Sequence, residues 1–107
     1  MTFVIKQNDT SPAILATLKE GDGTLIELSG STVRFHMRKL GSSTVAVDAA
    51  ATIYDYDLGQ VSYEWQSSDT ASPGVYEAEF EVTNTDGTVE TFPNGSYISV
   101  HVIDDIT

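Results

Sequence analysis

From Val75 to Thr83 the chain places Tyr76, Ala78, Phe80 and Val82 on one parity and Glu77, Glu79 and Glu81 on the other. An apolar–charged alternation with a period of two fits a pleated strand with one buried face, and it cannot form the continuous apolar stripe of a helix. The same period recurs from Thr32 to Leu40, where Val33, Phe35 and Met37 alternate with Arg34, His36 and Arg38. It returns from Gln60 to Gln66, with Val61, Tyr63 and Trp65 set against Ser62, Glu64 and Gln66. Shorter segments lie at Thr2–Lys6, Ala13–Lys19, Thr44–Tyr54, Val89–Phe92 and Ser96–Ile103. Clusters of Gly, Pro, Asn, Asp and Ser separate them, among them Asn8-Asp9-Thr10-Ser11-Pro12, Gly21-Asp22-Gly23 and the hairpin signal Thr85-Asp86-Gly87-Thr88. Short alternating runs between turn clusters predict an all-β, immunoglobulin-like antiparallel β-sandwich of about seven to nine strands.

The 107 residues form one domain, 1–107, without linker or repeat. Its predicted core contains Phe35, Trp65, Tyr76, Phe80, Val82, Val100 and Val102, since a one-residue slip in register would turn that whole set to solvent. Ile14 and Leu15 are adjacent apolar residues, so the second strand is expected to be central and covered on both faces. The Arg34, His36, Arg38 face and the Glu77, Glu79, Glu81 face are expected to oppose each other across one antiparallel ladder. Asp69-x-x-x-Pro73-Gly74-Val75-Tyr76-Glu77-Ala78 predicts a tyrosine corner, with the Tyr76 hydroxyl turned back to upstream backbone and Ala78 where antibody domains carry cysteine.

Composition narrows function mainly by exclusion. Sixteen acidic against five basic residues give a formal charge of −11. That balance argues against nucleic acid and against acidic membrane surfaces, which need clustered Lys and Arg. The absence of cysteine removes disulfides, thiolate metal sites and cysteine nucleophiles. No cofactor is expected. Asp55-Tyr56-Asp57-Leu58-Gly59 resembles the opening of a calcium loop, but its glycine comes one position early and Gln66 stands where a bidentate Glu belongs. It reads as a solvated turn, and no metal site is expected. His36 and His101 read as surface histidines, and no catalytic residues are assigned. Met1-Thr2-Phe3-Val4-Ile5-Lys6 lacks the basic segment and apolar stretch of a secretory signal, so a soluble protein not exported by that route is expected.

Several segments together resemble the amino-terminal domain of phage baseplate upper proteins. They are Phe3 to Pro12, Asp22-Gly23, Leu28 to Phe35, Gly59 to Trp65, Asp69 to Tyr76, and Glu90-Thr91-Phe92-Pro93, so the likeness spans nearly the whole chain. The resemblance implies an immunoglobulin-like sandwich and a structural role in a tailed-phage virion, made in the bacterial host cytoplasm. Its partners would be other virion proteins of the capsid, neck or tail, with many copies per particle. The family offers no catalytic residues to carry over. Chain ends can add a strand to a partner, so Phe3 and Ile5 at the amino end and Asp104 and Asp105 in the tail up to Thr107 are the candidate docking pieces. The alternative is an adhesion module holding a host-surface carbohydrate or protein, with Tyr54, Tyr56 and Tyr97 as candidate ligand contacts, provided they cluster.

Overall fold

The computed structural model describes residues 1–106. Among them are nine strands: β1 (Thr2–Lys6), β2 (Ile14–Thr17), β3 (Thr32–Lys39), β4 (Val45–Ala50), β5 (Thr52–Asp55), β6 (Gln60–Tyr63), β7 (Gly74–Thr83), β8 (Val89–Phe92) and β9 (Ile98–Ile103). A single 3-10 turn at Ser67–Thr70 interrupts the β structure of the described residues. The strands form a six-stranded sheet ordered β1-β9-β7-β3-β4, with β8 also on β7, and a three-stranded sheet ordered β2-β6-β5. The two sheets face each other as a sandwich, as the alternation predicts.

The core follows the parity of the strands. Val33, Phe35 and Met37 of β3 meet Val82, Phe80 and Ala78 of β7 in register, and all six are buried. All seven core residues expected from the sequence are buried as well. Phe35 lies at their centre, stacked on Tyr63 at 4.5 Å, 5.2 Å from Phe80, and edge-on to Trp65 at 5.5 Å. Offset and edge-to-face arrangements suit the ring quadrupoles, so this cluster adds specific geometry to the area it buries.

Three expectations need correction. The Thr44–Tyr54 run is not one strand: it breaks at Ala51, with β4 on the large sheet and β5 on the small one. Alternation passes unbroken through Val47, Ala49, Ala51 and Ile53, because the chain changes sheet while keeping the same parity toward the shared core. The second strand is not covered on both faces. β2 has a single partner, β6, and whereas Ile14 is fully buried, Leu15 is 57% exposed on the outer face. Finally, the sandwich is not wholly antiparallel, since β1 runs parallel to β9 from Thr2↔Ser99 to Lys6↔Ile103. An apolar pattern sets which face is buried and carries no information on strand direction.

Candidate functional site

The outer face of the large sheet carries most of the chain's basic side chains. Arg34, His36 and Arg38 of β3 lie opposite Glu81, Glu79 and Glu77 of β7, the pairing expected from the sequence. Asp48 on β4, across from His36, completes the array. Arg34 Nε donates to Asp48 Oδ1 at 2.8 Å, and this guanidinium, ahead of a smaller contribution from His36, holds the Asp48 carboxyl below its usual range. The His36 ring lies between two carboxylates, Nε2 3.1 Å from Asp48 Oδ1 and Nδ1 3.3 Å from Glu79 Oε2. Arg38 Nε reaches Glu77 Oε1 at 3.3 Å, and its guanidinium sits 5.3 Å from the centre of the Tyr97 ring. A depression of about 270 Å³ opens among these side chains. They neutralise one another across the ladder, and pairs of this kind stabilise a sheet by roughly 0.2–1 kcal/mol each. The arrangement holds no nucleophile paired with a base.

At the start of β7 the chain makes the tyrosine corner. Tyr76 is buried, and its hydroxyl donates to the Ser72 carbonyl at 2.6 Å. Beside it, the Tyr63 hydroxyl donates at 2.5 Å to Asp69 Oδ2, which also accepts from Gln66 N at 2.9 Å. Burial, then the Asp69 hydrogen bond and charge, push the Tyr63 phenol well above its ordinary value. Asp69 therefore anchors the 3-10 turn to β6, a role the sequence motif did not disclose.

Phe3 and Ile5 point into the sandwich. Ile5 is buried, and Phe3 is half-buried with its ring 5.7 Å from Trp65. Ser99 N donates to the Met1 carbonyl and Gln7 N to the Ile103 carbonyl, so the odd residues of β1 bond to β9. The backbone groups of Thr2, Val4 and Lys6 are left on the outer edge, and the Val4 side chain is 52% exposed. Asp104 and Asp105 are exposed beyond β9, and Thr107 lies outside the described residues. Tyr54 is on β5, on the outer face of the small sheet beside Leu15. Tyr56 is in the following turn, where its carbonyl accepts from Leu28 N at 3.0 Å, and Asp55 Oδ1 closes that turn by accepting from Asp57 N and Leu58 N. Tyr97 stands against Arg38 on the opposite sheet. The three exposed tyrosines thus form no single cluster.

Fold and surface together define a small β-sandwich module whose charged face on the large sheet is paired internally across β3, β4 and β7. The chain belongs to the BppU N-terminal domain family, that of the phage baseplate upper protein, whose model matches residues 3–100. Membership makes it a structural domain of the phage baseplate, a virion component that associates with other virion proteins. No curated protein matches the sequence significantly. Among solved structures, CopC from Methylosinus trichosporium OB3b is similar at a TM-score of 0.51 and 14% identity, over 99% of this chain and 87% of that one. That likeness concerns the fold alone. No helix of the described residues is long and apolar enough to cross a membrane.

Proposed function

We propose that the chain is a non-enzymatic docking module, carried in many copies on a symmetric scaffold of baseplate, neck or head proteins and made in the host cytoplasm before assembly. The observation that carries this reading is the family match over residues 3–100. Charge supports it: at −11, copies free in solution repel one another within a Debye length of about 8–10 Å, so a preformed scaffold must supply complementary surface and local concentration. The docking pieces are the amino-terminal strand, through its outer edge at Thr2, Val4 and Lys6, with Phe3 and Ile5 holding it in the core, and the acidic tail at Asp104 and Asp105. Host-surface adhesion is disfavoured by the separation of Tyr54 and Tyr56 from Tyr97. Neither nucleic acid nor a membrane is a partner in this reading. The test is to mix the purified chain with particles lacking it, after sedimentation across salt concentrations. A monomer at low salt that rebinds in a fixed ratio is expected; stable oligomers at low salt, or no rebinding, would contradict the reading.

A further inference from the structure

The large sheet has a gap in its outermost layer. β3 pairs along β7 from Thr83 to Tyr76, so β8 and β9 lie end to end on the other side of β7, β9 against Gly74–Ala78 and β8 against Phe80–Thr83. β1 covers β9 and stops at Thr2↔Ser99, so among the described residues nothing pairs with the outer edge of β8. The sandwich is open there, too. A groove of about 210 Å³ runs between the end of β2 and the end of β8, its apolar wall made by Met1, Ala16, Leu18, Phe92, Pro93 and Ile98. Leu18, Phe92 and Ile98 are core residues, so this groove reaches the edge of the core itself.

The residue that breaks the pattern is Glu90. Phe92 lies opposite Phe80 and Glu90 opposite Val82, and residues directly opposite share a face, so Glu90 projects from the core-facing side of β8. Across the opening it meets Glu20, whose carboxyl is raised above its ordinary range by desolvation first, then by the charge of and a hydrogen bond with Glu90, then by Asp22. Lys19 stands on the same rim and Asn94 Nδ2 donates to Glu90 Oε2 at 3.2 Å. An inward-pointing charge on an edge strand repels indiscriminate pairing, and it favours a strand that brings the opposite charge.

We propose that the outer edge of β8 receives an extended segment of another virion protein, added as a strand in line with β1, with an apolar side chain beside Phe92 and a Lys or Arg beside Glu90. This rests on the docking reading and names its surface and the chemistry of its partner. The backbone of β8 supplies hydrogen bonds, the groove takes the apolar side chain, and the acidic rim selects the basic one. A basic partner also fits a chain of net charge −11.

The probe is a short blocked peptide of alternating threonine and valine with one central lysine, followed by NMR of the backbone amides. Shifts concentrated on Val89–Phe92 and Leu18 are expected, with affinity about tenfold weaker when glutamate replaces the peptide lysine or when the protein carries Glu20→Gln with Glu90→Gln. Shifts elsewhere, no binding, or indifference to the peptide charge would overturn the proposal. Dimerisation of the isolated chain that masks β8 would assign the edge to a second copy and overturn it as well. Rebinding to particles separates the two readings. If the double variant, folded by its spectrum, rebinds as well as the parent chain, the β8 assignment is wrong and docking stands. If the parent chain does not rebind, the docking reading fails, and the peptide result still decides whether β8 accepts a basic strand.

Discussion

Replacing Tyr76 with Phe removes one hydroxyl and leaves the ring, so it isolates what the corner contributes. The hydroxyl is 2.6 Å from the Ser72 carbonyl, in a side chain only 4% exposed. Two magnitudes compete. A net neutral hydrogen bond is worth about 0.5–1.5 kcal/mol, whereas a buried acceptor stranded without a partner costs about 1–3 kcal/mol. Ser72 is exposed, so water can reach its carbonyl once the phenol is gone, and the lower figure governs. The expected loss is therefore about 1 kcal/mol, seen as a lower urea midpoint at unchanged slope and a melting temperature lower by about 4–8 °C. Hydrogen exchange should quicken at the start of β7, where Leu40 N donates to the Val75 carbonyl, before it quickens elsewhere. A loss under about 0.3 kcal/mol would show that the hydroxyl contributes nothing to the corner; a loss above about 2.5 kcal/mol would show that Ser72 is shut off from water, against the exposure argument.

Other substitutions probe other parts of the sandwich. Gly59→Ala forces a side chain into a backbone of φ +64° with a Cβ 2.8 Å from both the Leu18 and Ile26 carbonyl oxygens, and it should cost about 1–3 kcal/mol by denaturant titration. Phe35→Ala empties the centre of the aromatic cluster and should cost about 3–5 kcal/mol by the same assay. The Asp48 carboxyl, held low by Arg34, gives stability that is complete above the ordinary carboxyl range and lost as pH falls through it. Arg34→Gln should therefore flatten the acid limb of a stability–pH curve. The Tyr63 phenol is raised, so its contribution is present below its unfolded value of 10.0 and lost as pH climbs above it. Tyr63→Phe should remove that alkaline loss.

How far the fold could be read from the sequence follows from what alternation encodes. It fixed which side chains face inward, so Phe35, Phe80 and Val100 were legible, and it placed opposite charges on faces that β3 and β7 bring together in register. It does not encode partner or direction. The sheet change at Ala51 and the parallel pairing of β1 were therefore invisible, and the exposure of Leu15 followed from its pointing to the outer face of the small sheet, away from the large one. Tyr76 was legible because Pro73-Gly74 marks the corner just before it. Asp69 was not, because it lies inside the 3-10 turn that Gln66 caps, and alternation along the strands says nothing about a bond from that turn back to the Tyr63 hydroxyl. Glu90 carried a signal that alternation alone could have found: it shares parity with the buried Phe92.

The virion assignment is tested most directly by quantitative mass spectrometry of purified particles of the phage that encodes this chain. The expected result is a copy number in a fixed small-integer ratio to a baseplate, neck or head protein, retained through washes at high salt. Abundance in the infected lysate with only traces in purified particles would contradict the account.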